Sequence, residues 1–214
     1  MTTTAITSGP ADRRAARRAS TRAEILQAAW DLAREHGLAG ISMRDLGDRV
    51  GMRAQSVYSY FASKDEIYDA MFREGFDSFL AWTAVSPPAG TVPLDVVRFH
   101  ADRFFRFCAD DPVRYQLLFL RTIPGFEPSP ASFAVAIDAL AHMEAQLTQI
   151  GTDDPDAADL STALFTGLVS QQLANDPGGT RWYRLVDRAA HMLMLEIAPH
   201  LLSPAPSTRK KARA

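Results

Sequence analysis

Between Ser42 and Lys64 the chain reads SMRDLGDRVGMRAQSVYSYFASK and gathers hydrogen-bonding side chains at a spacing that suits nucleic acid. Gln55 offers an amide that can pair with an adenine edge through two bonds, and Arg53 offers a guanidinium that can read guanine or grip a phosphate. Ser56 and Ser59 can do either, and Ala54 shares their surface. Tyr58, Tyr60, Lys64 and Ser42 suit phosphate oxygens, contacts that set register rather than sequence. Tyr58 equally suits a half-buried structural place. A solvated three-helix packing unit with a glycine corner would carry similar residues, so the chemistry depends on the elements that present them.

Those elements are legible. Ser42 with Asp45 is a capping-box-like helix start, and Leu46 and Val50 recur on one face. Gly51 supplies a sharp corner, because glycine takes positive φ without steric cost. A second short helix is predicted over residues 53–60, packed down by Val57 and Phe61. Ser63 with Glu66 caps the next helix. Helix, glycine turn and short helix within about 20 residues describe a helix-turn-helix, whose second helix lies in a DNA major groove. The stretch resembles the TetR/AcrR family of transcriptional regulators. The matching residues are Leu46 and Val50-Gly51, then Val57-Tyr58-x-Tyr60-Phe61, then Ser63-Lys64-Asp65-Glu66-Ile67. The resemblance is strong over residues 21–72 and elsewhere extends only to the overall plan.

The resemblance implies an all-α protein of about nine helices. An N-terminal three-helix DNA-binding domain would be followed by a C-terminal helical domain that binds a ligand and dimerises. It further implies a homodimer, a near-palindromic double-stranded DNA operator and a small-molecule effector. Family members often carry Ser or Thr where Arg53 stands, which leaves the role of Arg53 open.

Charge is distributed as that plan requires. Residues 1–64 hold 10 Lys/Arg against 6 Asp/Glu, a net +4, and residues 65–208 hold 9 against 19, a net −10. A basic N-terminal third on an acidic body suits a chain of which only that third meets phosphate. Residues 1–19 are expected to form a disordered basic arm, with Arg13, Arg14, Arg17 and Arg18 either touching DNA or solvated. The expected divisions are then 20–66 for the DNA-binding domain, 67–202 for the regulatory and dimerisation domain, and 203–214 for a disordered basic tail. No apolar run approaches the ~20 residues of a membrane span. The N-terminus has no apolar signal-peptide core. The single cysteine, Cys108, fits a reducing cytoplasm and reads as a small buried hydrophobe.

Along the rest of the chain, Thr21 and Glu24 form a capping box for a helix ending near His36. A long helix over 63–85 follows, with Gly75 marking either close packing or a bend. Helices are expected over 94–110, 113–122, 132–150, 156–175 and 182–200. Phe133, Ile137, Leu140, Met143 and Leu147 would form the apolar side of the fourth of these helices counted from residue 63. The aromatic load of the body suits the wall of an apolar pocket, drawn from Phe79, Trp82, Phe99, Arg103, Phe104, Tyr115, Phe119 and Phe126. In the family it resembles, the last two helices pair with their copies, which points to Leu164, Leu168, Gln171, Leu185, Ala189 and Met192 as the dimer interface.

No Gly-rich phosphate loop, zinc spacing or nucleophile triad occurs, and the histidines are scattered singly. We therefore expect no catalytic residue, metal, cofactor or membrane partner. The reading is a sequence-specific transcriptional repressor released by an apolar or amphipathic effector. Its alternatives are an activator or a ligand-independent dimeric DNA-binding protein. An enzyme would need convergent titratable groups, and the sequence groups none.

Overall fold

The computed structural model describes residues 10–202 and contains α-helices and short 3-10 turns, with no strand among the described residues. Helix α1 spans Pro10–His36, α2 Met43–Arg49, α3 Ala54–Val57, α4 Lys64–Thr83, α5 Pro93–Asp110, α6 Pro112–Phe119, α7 Pro130–Ile150, α8 Ala157–Asn175 and α9 Val186–Ile197. The chain divides into two compact units. One takes the N-terminal residues to Gly75 together with Gln116–Phe133, and the other takes Phe76–Tyr115 and the chain from Ala134 onward.

The first unit departs from expectation at its start. Residues 10–19 are helical, not a disordered arm, and α1 begins eleven residues before the Thr21 cap. The cause is composition. Ala and Arg are among the best helix formers, and Pro10 opens the helix where its missing N–H costs nothing. Residues 1–9, the rest of that expected arm, and the tail 203–214 lie outside the described residues. Ile25, Ala29, Leu32 and Ala33 bury the inner stripe of α1 as the sequence periodicity requires. Around it close Leu38, Ile41, Leu46, Val57, Phe61, Ile67, Tyr68 and Met71. The Trp30 indole donates to Glu74 at 3.1 Å, and the buried Tyr68 hydroxyl donates to the Leu38 carbonyl at 2.6 Å. A Cβ on Gly75 would come within 2.8 Å of Leu118, so Gly75 is there for packing. Asp69 on α4 accepts from the Ser129 N–H at 2.6 Å and from the Ser132 hydroxyl at 2.8 Å, holding the start of α7.

In the second unit α5 packs mainly on α9 and α8. Val97, Ala101, Phe105 and Cys108 of α5, Phe165 and Val169 of α8, and Ala189, Ala190, Leu193 and Met194 of α9 are buried in its core. The faces of two helices differ from the expected ones. α8 buries Ala157, Ser161, Phe165, Val169 and Gln172, one residue round from the leucine stripe. α7 buries Ser132, Val135, Ala139 and Leu147, while Phe133, Ile137 and Leu140 face solvent. Both helices are apolar on more than one side, so periodicity alone cannot choose the inner face. On α8 the inward face carries the small residues Ala157, Ala158 and Ser161, which let α5 and α9 approach closely. The last helix is also shorter than 182–200, starting at Val186 after the 3-10 turn Tyr183–Leu185. Buried Gln172 fixes that turn by accepting from the Trp182 and Tyr183 N–H groups at 2.8 and 3.2 Å. No helix among the described residues is long and apolar enough to cross a membrane.

Candidate nucleic-acid interface

The helix-turn-helix is assembled from pieces too short to be stable alone. α2 has seven residues and α3 four, and isolated helices shorter than ~12 residues are marginal in water. Local caps and tertiary contacts therefore fix both. Ser42 Oγ accepts from the Asp45 N–H at 3.1 Å and donates to the Asp45 carboxylate at 2.6 Å. The chain reverses at Gly51, whose φ is 68°. The Met52 N–H then donates to the Gly47 carbonyl at 2.8 Å. A Cβ on Gly47 would lie 2.6 Å from the Met52 carbonyl oxygen and 3.1 Å from the Ala54 nitrogen. Gly47 thus sets how closely α2 and α3 approach. The sequence reading passed over it. The available signal was a glycine in the interior of a short helix, which costs about 1 kcal/mol unless packing needs it.

The regular part of the second helix of the turn, α3, is Ala54–Val57, shorter than the expected 53–60. Arg53 is its N-cap with extended backbone. Residues 58–61 continue as hydrogen-bonded turns, with Tyr60 N–H to Val57 O at 2.9 Å and Phe61 N–H to Val57 O at 3.0 Å. Ser56, Val57, Tyr58 and Ser59 are weak helix formers, and the turns bring Phe61 into the core four residues after Val57. Both are fully buried. Their burial turns Arg53, Gln55, Ser56 and Ser59 outward, leaves Ala54 and Tyr60 half-buried, and exposes Tyr58 to 47%. That exposure places Tyr58 among the available contacts and not in the core.

The flank of this surface is cationic and held in place. Lys64 donates to the Ala39 carbonyl at 2.9 Å and lies 5.4 Å above the Tyr68 ring; an ammonium has three donors, so others remain. The Arg22 guanidinium covers the Phe61 ring at 3.8 Å, donates to the Tyr60 carbonyl and pairs with Glu66 at 3.1 Å. Arg18 donates to the Ser59 carbonyl at 2.6 Å and lies 4.9 Å over Tyr60. Arg49 bridges to Glu35 through bonds of 3.0 and 2.6 Å. That hydrogen bond lowers the Glu35 pKa and raises that of Arg49.

The residues expected to wall a pocket separate by unit. In the second unit Phe79 contacts Phe104 at 6.0 Å and Phe107 at 5.1 Å, and Trp82 lies 6.4 Å from Phe107. Arg103 lies over Trp82 at 4.4 Å and over Phe99 at 5.7 Å, and its Nε donates to the Trp82 carbonyl at 3.0 Å. Tyr115 is buried and its hydroxyl bonds Thr166 O and Ser170 Oγ at 3.1 and 2.8 Å. Phe119 and Phe126 belong to the first unit, where Phe126 meets Tyr68 at 5.5 Å. His100, which sequence reasoning left aside, sits on α5 with its Nδ1 buried and without a partner among the described residues. Burial lowers its pKa, helped by nearby His142 and Arg103.

Of the residues expected at a dimer interface, Met192 is 55% exposed, Gln171 is exposed, and Leu164, Leu168 and Leu185 are half-buried. Ala189 is instead inside the unit's own core, 4% exposed. Leu160 and Leu195 join the outward face, at 41% and 51%. Among the described residues no group of three or more His, Cys, Asp or Glu could hold a metal.

Residues 25–71 match the family model of bacterial regulatory proteins, tetR family. The HTH-type transcriptional repressor Rv1353c of Mycobacterium tuberculosis is 26% identical over 141 residues, 66% of this chain and 52% of that protein. The chain thus matches about half the length of that relative. The HTH-type transcriptional repressor KstR2 of M. tuberculosis is 38% identical over 71 residues, 33% of this chain and 34% of that protein. The transcriptional regulator FadR from Bacillus subtilis, solved in complex with stearoyl-CoA, shares the fold with a TM-score of 0.64 at 16% identity. That match covers 80% of this chain and 96% of the other.

Proposed function

We propose that the chain is a member of the tetR family of bacterial regulatory proteins, whose model its residues 25–71 match, and that it is a dimeric, sequence-specific repressor released from its operator by an apolar or amphipathic small molecule. One observation carries the DNA reading. Val57 and Phe61 lock a short helix so that Arg53, Gln55, Ser56 and Ser59 project outward from a capped turn. Two such helices, one from each copy, would enter successive major grooves of a near-palindromic site. Gln55 would read a base edge. Tyr58, Tyr60, Lys64 and Ser42 would hold phosphates and fix the register. Naming of relatives as repressors favours repression.

The outward apolar face of α8 and α9 supports the dimer. Gly167 lies on it with open space where a Cβ would stand, which leaves room for a second helix. The aromatic group around Phe79, Phe104 and Arg103 supports an effector with an apolar body. A long-chain acyl-CoA is the first compound to try, because FadR was solved with stearoyl-CoA. The effector must bind the DNA-free conformation more tightly than the DNA-bound one, or nothing switches.

The test is selection from random duplex DNA with the purified protein, followed by sequencing. An enriched inverted repeat is the expected result. A folded, dimeric protein that enriches no sequence, with or without the acyl-CoA, would defeat the proposal.

A further inference from the structure

We infer that the first two turns of α1 form a helical arm that grips the sugar-phosphate backbone of duplex DNA beside the reading helix, through Arg13, Arg14 and Arg17. The inference rests on the DNA-binding reading above and extends it to a surface outside the helix-turn-helix.

Three observations carry it. First, the arm is continuous helix. α1 runs unbroken from Pro10 into the core stripe of Ile25, Ala29 and Leu32, so its first turns are positioned by the packed end. Second, the arm is pinned to the reading unit. Arg14, Arg18 and Arg22 recur every four residues and share one face. The guanidinium of Arg18 reaches Ser59 and that of Arg22 reaches Tyr60, the carbonyl end of the reading helix. Arg13 stands five residues before Arg18, about 7.5 Å further along the axis at 1.5 Å per residue. Arg13 and Arg17 open onto the neighbouring face. Third, the arm carries a large excess of positive charge. Five arginines stand against one aspartate between Pro10 and Arg22. Arg13, Arg14 and Arg17 are exposed, and no hydrogen bond or ion pair holds them among the described residues. Arg18 and Arg22 serve the fold; the other three serve no internal contact.

A helix seated in a major groove has a phosphate strand along its flank. Tyr60 and Lys64 lie at that flank in the proposed mode, and Arg18 stacks on Tyr60. The arm therefore approaches the same strand. Its contacts would be to phosphate, so they add affinity without sequence preference.

The experiment compares the full chain with the triple variant Arg13→Ala, Arg14→Ala, Arg17→Ala. Alanine keeps the helix, so folding is preserved. Binding is measured by anisotropy against the selected operator duplex and against a random duplex, across a salt series. The expected result is a loss of about tenfold on both duplexes alike, with the log–log salt slope shallower by about two to three, since each phosphate contact contributes ~0.9. A matching triple lysine variant should keep most of the slope. Unchanged affinity and slope in the alanine variant, with wild-type binding intact, would overturn the arm. A loss confined to the operator would overturn it as well, because that pattern belongs to base reading. Wild-type protein that binds neither duplex would overturn the DNA-binding reading itself, and the arm with it.

Discussion

Two helices of this protein turn side chains outward with opposite chemistry. α3 presents Gln55, Ser56 and, at its cap, Arg53, all able to donate or accept hydrogen bonds, above a fully buried Val57. α8 presents Leu160, Leu164 and Leu168 above a buried Phe165 and Val169. Both are anchored from beneath, and both leave a surface beyond what the fold consumes. A polar surface on a tightly capped helix suits a partner that is itself a grid of donors and acceptors. An apolar surface suits a partner that removes it from water, where each Å² of apolar area buried contributes roughly 25 cal/mol.

The sharpest way to break this comparison is to remove the anchor beneath the polar surface. Phe61→Ala should destabilise the first unit by about 3–5 kcal/mol through lost burial and a cavity under Arg22. Operator affinity should vanish while the protein stays dimeric in analytical ultracentrifugation. Retained operator binding would show that the reading helix does not depend on Phe61. The reciprocal variant, Met192→Asp with Leu195→Asp, attacks the apolar face. It should shift the dimer towards monomer by 100-fold or more in Kd, as two charges are forced against hydrocarbon or left in water. An unchanged sedimentation profile would remove that face from the interface.

Smaller changes refine the polar side. Gln55→Ala should cost ~1–3 kcal/mol on the operator and almost nothing on random DNA. Lys64→Ala should weaken both equally and lower the salt slope by about one. Equal losses from Gln55→Ala on both duplexes would take it off the list of base-reading residues. The smallest effect concerns the second unit alone. Burial, with His142 and Arg103 nearby, lowers the pKa of His100, so the folded state favours the neutral ring. Stability is then full above the ordinary histidine value of about 6.5 and is lost as pH falls through it, because the unfolded chain gains a proton that the folded chain refuses. Thermal midpoints measured from pH 7.5 to 5.5 should fall less steeply for His100→Gln than for the wild type. Parallel curves would assign the pH dependence elsewhere.

The same contrast explains what could be read without coordinates. The helix-turn-helix is written in local signals: Ser42 with Asp45, Gly51, Val57 with Phe61, Ser63 with Glu66. Each acts within four residues, so spacing alone exposes it. Gly47 escaped because its role lies in the approach of the Met52 backbone. The start of α1 escaped because a basic stretch beside Gly9-Pro10 suggests a disordered arm, whereas the helix propensity of Ala and Arg points the other way. In the body, α8 carries two apolar stripes. The leucine stripe is the more hydrophobic, yet Ala157, Ser161 and Phe165 face inward. Which stripe wins depends on how near α5 and α9 can come, a property of three segments at once. The aromatic pocket set divided for the same reason: Phe119 and Phe126 share a residue type with Phe79 and Phe104 but not a unit.

Cys108 has a practical consequence. It is the chain's single thiol, it is fully enclosed by the second unit, and burial raises its pKa, so it stays protonated and inert. A thiol-reactive dye can therefore modify the native protein only during transient opening of that unit. The labelling rate becomes a clock for such excursions, read at one atom. A compound that settles into the unit and steadies it would slow the clock, and this would report occupancy before any operator is known.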